Sequence, residues 1–243
     1  MFIVPTQPQT AWQVVRSGFG LWKSTFRFVW PFSIGFATLN AWYGYYTISA
    51  VDNYSLTPSL FIIGMLSVWI HASIIDAIHR GRGKKIYHYL PWHKILKKTC
   101  MLFLVVILML SMILAGTLCL IIPGIVLSIY LVFAPYLAIV DDGGVEQSIR
   151  NSFAISENFW WFLSNRLSLV AFVFFILMLV VLFVTLGGWL FFRDKSVTDV
   201  GQQTKAVTVP VFWFLNAFLY PLLHAFMLET LCDLRLRKES LSV

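Results

Sequence analysis

Two stretches, "HASIIDAIHRGRGK" from His71 and "HAFMLETLCDLRLRK" from His224, each place an imidazole five residues ahead of a carboxylate in an apolar setting. His71 is followed by Asp76, His224 by Glu229, and a basic cluster comes after both. Ionisable groups in hydrocarbon are costly and are a functional hypothesis by default: such a set can pass a proton, conduct a cation or hold a metal. Five residues are about 140° around a helix, so neither stretch closes a site alone. A site needs both, with the histidines facing each other near a pseudo-twofold axis and Asp76 and Glu229 below them as ligands or proton acceptors. The competing reading is structural. Asp76 lies four residues before Arg80 on one helical face and can pair with it, Glu229 can pair with a tail arginine or a neighbouring helix, and each histidine can bond a facing helix.

The elements that carry these residues follow from composition. Hydrophobic residues make up 59% of the 243 and charged residues 12%, a balance that leaves a soluble protein with too much exposed apolar surface. A spanning helix needs about 20 predominantly apolar residues, because the bilayer core offers the backbone no other partner. Spans are expected near Phe28–Val51, Pro58–Ala77, Cys100–Ile122, Gly124–Val140, Leu167–Phe192 and Val209–Leu231. Pro123-Gly124 then reads as a tight turn between the third and fourth spans, and Pro135 as a kink inside the fourth.

The basic segment "HRGRGKKIYHYLPWHKILKK" between spans two and three points to the cytoplasm, and alternation puts both termini there. All but three of the 18 lysines and arginines, Arg193, Lys195 and Lys205, fall on that side. The first span is too far from the start, after several charges, to be a signal peptide. Cys100, Cys119 and Cys232 lack CxxC spacing, so neither a disulfide framework nor a zinc knuckle is expected. The net charge of +7 is explained by this topology and points to anionic lipid headgroups, not to nucleic acid. Arg80, Arg82, Lys84, Lys85, Lys94, Lys97, Lys98, Arg235, Arg237 and Lys238 are the headgroup candidates. His88 and His93 in the basic segment match no ligand spacing, and no Walker, GxSxG, HExxH or GxGxxG arrangement occurs. No cofactor, metal or catalytic residue is assigned.

After Asp141-Asp142, Val145, Ile149 and Phe153 recur every four residues with Glu146, Gln147, Arg150 and Asn151 on the other faces. This predicts an amphipathic interfacial helix over Val145–Trp160, started by Asp142 as cap or, with Glu146, through the helix dipole, and ended by Trp160-Trp161. A twin is expected at Trp12–Phe26. One fixed offset aligns Val15 with Ile149, Arg16 with Arg150, Phe19 with Phe153, Leu21 with Ile155 and Phe26 with Trp160. Together with the paired HAxxx[DE] segments this predicts a parallel internal repeat in one all-α membrane domain spanning 1–243. The parts are 1–80 as first repeat, 81–99 as basic cytoplasmic segment, 100–140 as inserted hairpin and 141–243 as second repeat.

The run "IIPGIVLSIYLVFAPYLAIVDDGGVEQSIRNSFAISENFW" resembles the signature of the YciC-like membrane proteins and of the related membrane domain fused to some glycerophosphoryl diester phosphodiesterases. There too a PGI turn, an apolar span with a late proline, one or two acids and an amphipathic helix ending in N-F-W follow one another. The closing "CDLRLRKES" is similar to that family's basic tail. The resemblance covers Ile121–Trp160 and Asp233–Glu239 and implies a polytopic protein of the bacterial inner membrane. These 243 residues hold no barrel with paired acids and metal ligands, so phosphodiester hydrolysis is not implied. The arginine common in the family's fourth span is Tyr130 or an apolar neighbour here, so no anion role passes to that helix.

Two function classes remain. The first is a non-catalytic membrane protein that organises lipids or membrane partner proteins through its interfacial helices and basic loop. The second is a small transporter or channel that moves a proton or cation along the histidines and carboxylates. The scarcity of polar residues in the spans favours the first.

Overall fold

The computed structural model describes residues 7–49, 57–82, 92–141, 143–192 and 200–241, and within them the chain is all-helical. The helices are α1 (Ala11–Ser49), α2 (Thr57–Arg82), α3 (Trp92–Cys119), α4 (Ile121–Leu131), α5 (Ala134–Val140), α6 (Val145–Ser156), α7 (Trp160–Phe192) and α8 (Val200–Leu241). Among the described residues, four stretches are long and apolar enough to cross a membrane: Ile62–Arg82, Lys94–Cys119, Ile121–Val140 and Trp160–Val180. Lys84, Lys85, His88 and Asp142 lie outside the described residues.

α1 starts on a reciprocal cap. The Thr10 N–H donates to Gln13 Oε1 at 2.8 Å and the Gln13 N–H to Thr10 Oγ1 at 3.3 Å, satisfying two of the amide groups that a helix start leaves orphaned. From there α1 continues without interruption through Pro31 to Ser49, which corrects the expectation of a separate interfacial helix at Trp12–Phe26. Pro31 supplies no N–H to the carbonyl of Arg27, and its ring is exposed. Phe19, Trp22, Phe26 and Trp30 form a ladder along α1, with successive ring centroids 5.3, 5.2 and 5.3 Å apart. α1 packs on α8, the most extensive helix contact among the described residues. There Gly18 lets the backbones approach: a Cβ at that position would overlap the ring of Phe226 and lie 3.2 Å from its Cα.

The reversal between α3 and α4 is made by Leu120 alone, in an extended conformation (φ −164°, ψ 147°). The expected turn at Pro123-Gly124 is therefore displaced. Pro123 sits in the first turn of α4, where its missing N–H costs nothing, and Gly124 serves as a contact. A Cβ on Gly124 would overlap Thr117 Oγ1 and come within 2.9 Å of the Thr117 backbone nitrogen on α3. Pro135, where a kink without a break is expected, falls in the first turn of α5, just past an interruption of the helix. Val132 and Phe133 separate α4 from α5 but keep helical-region dihedrals, and the Leu137 N–H still reaches the Phe133 carbonyl at 2.9 Å.

α6 is a distinct helix but ends at Ser156, ahead of the expected Trp160, which instead begins α7. Its N-cap is Gly144, with no side-chain cap, so the capping role expected of Asp142 falls to no side chain. Ser148, Ser152, Ile155 and Ser156 are its buried face. Ser152 donates to the Tyr130 carbonyl at 2.6 Å, while Val145 and Ile149 pack against Val105, Ala134 and Ala138. Small hydroxyls let α6 sit close on the bundle, so both its strips are engaged with protein and only Glu146, Gln147, Arg150, Ala154 and Glu157 are exposed.

The core lies where α1, α2, α5, α7 and α8 converge, around Leu21, Phe36, Ile74, Ile78, Phe133, Leu137, Leu163, Leu228 and Leu231. Buried hydroxyls there satisfy themselves within their own helices. Thr25, Ser73 and Thr230 each donate to the carbonyl four residues back, at 2.8, 2.9 and 2.8 Å.

Candidate functional site

His71 on α2 and His224 on α8 meet. His71 Nδ1 lies 3.0 Å from His224 Nε2, with the ring centroids 5.3 Å apart and the planes at 80°. The other nitrogen of His224, Nδ1, lies 2.9 Å from the Tyr136 hydroxyl on α5. Phe36 and Tyr220 pack edge-on against His71, with centroids at 4.8 and 5.5 Å. His224 and Tyr136 are buried and His71 is half-buried. Three helices thus contribute one polar atom chain inside an aromatic wall.

The two carboxylates do not join it. Asp76 pairs with Arg80, four residues on, and with Lys98 Nζ of α3 at 3.1 Å; Lys98 also donates to the Ile139 carbonyl at 2.8 Å. Glu229 takes Arg82 Nε of α2 at 2.8 Å. The arrangement expected for a four-residue site is therefore half realised: the histidines face each other, and the acids serve ion pairs nearer the helix ends. Among the described residues, no group of three or more histidines, cysteines, aspartates and glutamates is placed to hold a metal.

These pairs belong to a charged base. Arg166 of α7, 4% exposed at its side chain, bonds Asp233 of α8, 2% exposed, at 2.7 Å, and Arg237 bonds the same oxygen at 2.9 Å. Both guanidiniums lie over the Phe162 ring, at 4.1 and 4.2 Å from its centroid. Residue 9 completes the knot: the Gln9 carbonyl accepts from Arg166 and Arg237, and its N–H donates to the other oxygen of Asp233. Arg235 reaches both oxygens of Asp141, at 2.8 and 2.6 Å, and Lys238 donates to the Ala154 carbonyl at 3.2 Å.

Most of the headgroup candidates are consequently occupied within the protein. Arg80, Arg82, Lys98, Arg235 and Arg237 hold carboxylates, and Lys238 holds a carbonyl. Lys94 and Lys97 remain exposed, on the first turns of α3 instead of in a loop, since α2 runs to Arg82 and α3 begins at Trp92. In the interfacial set, Arg16 and Arg150 are exposed, Arg150 pairing with Glu146 at 2.6 Å. Phe19 is 50% exposed, whereas Phe26, Ile149 and Trp160 are half-buried and Phe153 stacks on Tyr130 at 5.4 Å.

Tyr136, Gln9, Arg166 and Asp233 were not singled out from the sequence. A hydroxyl directly after Pro135 in an apolar span was the available signal for Tyr136; the others are joined across more than 60 residues, which no local spacing reveals. No protein family, curated protein or solved structure matches this chain.

Proposed function

We propose that this chain is a non-catalytic, multi-pass protein of the bacterial inner membrane that organises anionic lipids or membrane partner proteins, of the YciC-like kind that Ile121–Trp160 and Asp233–Glu239 resemble. In this reading parts of α1 and α8 also cross the bilayer, giving six spans, and the ion-paired base and both termini face the cytoplasm, the side that collects lysine and arginine. The juxtaposition of His71 with His224 supports a parallel repeat, although α1 packs along α8 far more extensively than α2 does along α7.

The observation that carries the lipid reading is the outer face of α1. Arg16, Lys23 and Arg27, at intervals of seven and four, fall within about 40° of one another around the helix, and all three are exposed. Trp12, 71% exposed, and Phe19, 50%, repeat the seven-residue interval on the neighbouring strip. Cations flanked by aromatic rings suit the headgroup level of an anionic leaflet. The transporter or channel alternative has lost two of its four groups, because Asp76 and Glu229 are engaged by Arg80, Lys98 and Arg82.

The test is lipid retention. The combined substitutions Arg16→Gln, Lys23→Gln and Arg27→Gln should release anionic phospholipid that the wild-type protein keeps through purification, as read by native mass spectrometry. Unchanged retention in the triple variant would sink the reading.

A further inference from the structure

Intramembrane histidines rarely bond one another. At the α2–α8 crossing they do so with a phenol on the far side, so three titratable groups form a chain of two hydrogen bonds, 2.9 and 3.0 Å long. The lining is aromatic: Phe36 and Tyr220 pack on His71, and no carboxylate takes part. The charged groups of the helices nearest the pair, Asp76, Arg80 and Arg82 on α2 and Glu229 and Asp233 on α8, are bonded among themselves and to Lys98, Arg166 and Arg237.

A neutral chain of this kind has two complete states. In one, the Tyr136 O–H donates to His224 Nδ1, His224 Nε2–H donates to His71 Nδ1, and His71 keeps its proton on Nε2. In the other every bond is reversed: His71 Nδ1–H donates to His224 Nε2, and His224 Nδ1–H donates to the Tyr136 oxygen. Both fill both bonds, but the second turns the buried Tyr136 O–H away from His224, its acceptor in the first, so burial favours the first as the resting state.

We infer that Tyr136, His224 and His71 form a proton relay. A hydronium delivering a proton to the Tyr136 oxygen converts the first state into the second: the phenolic proton moves to His224 Nδ1, the Nε2 proton moves to His71 Nδ1, and His71 releases its Nε2 proton to water. One proton enters, one leaves, and the chain is neutral before and after. The reverse passage, or tautomer exchange in the rings, resets it. The His71 ring is half-buried, so that end of the chain reaches the protein surface. At the other end, Tyr136 is one turn of α5 from Ile139, whose carbonyl holds Lys98 and through it Asp76. This goes beyond lipid or partner organisation and needs neither carboxylate.

The experiment is decay of an imposed pH gradient in phosphatidylethanolamine–phosphatidylglycerol vesicles that contain the full chain and a trapped pH-sensitive dye. Wild-type protein should dissipate the gradient faster than protein-free vesicles, and Tyr136→Phe, which deletes one oxygen, should lose that excess. His71→Gln should lose it as well. Nitrogen-15 NMR of the imidazoles in Tyr136→Phe checks that His71 and His224 still touch; if they part, His71→Gln alone decides. A wild-type rate equal to that of the deciding variant, or to that of empty vesicles, overturns the relay. Lipid retention by these variants stays as in the wild type, so the relay and the lipid role fail separately.

Discussion

Asp233 is the residue whose loss should be felt most. It answers two guanidiniums, and Arg166 beside it is 4% exposed, so Asp233→Ala leaves a charge buried without its partner. Breaking a buried pair from one side costs about 3–5 kcal/mol, and a thermal unfolding scan in detergent should show a correspondingly large drop. Glu146→Ala, which opens an ion pair 77% exposed on both sides, should leave the midpoint unchanged. A smaller loss is expected at Ser152. Its hydroxyl is buried and bonded to Tyr130, so Ser152→Ala should cost about 1 kcal/mol in the same scan. At this scale the sequence was informative where partners are local. Asp76 with Arg80 follows from a spacing of four, whereas matching two short segments singled out His71 and His224 without deciding whether they meet. Lys98 with Asp76 did not follow, because Lys98 reads as one cation among seven in a basic run and only the packing of α3 on α2 selects it.

Among the elements, the α3–α4 hairpin is the most exacting. Its reversal is a single residue, and its helices touch at a glycine with no room for a side chain. Gly124→Val should therefore destabilise the protein by about 1–3 kcal/mol, the usual cost of overpacking, read as a lowered unfolding midpoint. Gly35→Ala is the control. Nothing lies within 4 Å of a Cβ there, so the variant should be neutral or gain up to about 1 kcal/mol from helix propensity. The positions of these helices were legible in the runs of apolar residues, and Pro135 marked the place near which α4 gives way to α5. The continuity of α1 was not. Its amphipathic first half and apolar second half look like two elements in sequence, and no local signal shows that the helix runs on through Pro31. The serine face of α6 was missed for a related reason: periodicity singled out Val145, Ile149 and Phe153, while close packing against α4 rewards the smallest side chains.

At the scale of the whole molecule, the large apolar side chains exposed among the described residues lie mostly on α3, α4 and α7, and 11% of the Lys94–Cys119 span is buried inside the protein. Leu104, Leu108, Leu114 and Leu118 point away from the core and leave α3 to lipid or to a partner. The charge distribution supplies the orientation to be tested. A reporter enzyme active only outside the inner membrane should be active when fused after Leu120 and silent when fused after Gly144; the opposite pattern would invert the proposed topology.

The knot at Gln9 sets an order of events. Its partners are separated by 224 residues, so the loop it closes is almost the entire chain. At ribosomal speeds of about 5–20 residues per second, Gln9 waits roughly 10–45 s for Asp233 to be made. During that interval Arg166 emerges and enters its helix with the Gln9 carbonyl already made but its carboxylate still to come. A nascent chain stalled before Asp233 therefore holds Arg166 without its carboxylate and Gln9 without the acceptor of its N–H, the kind of unfinished surface that membrane quality control can read.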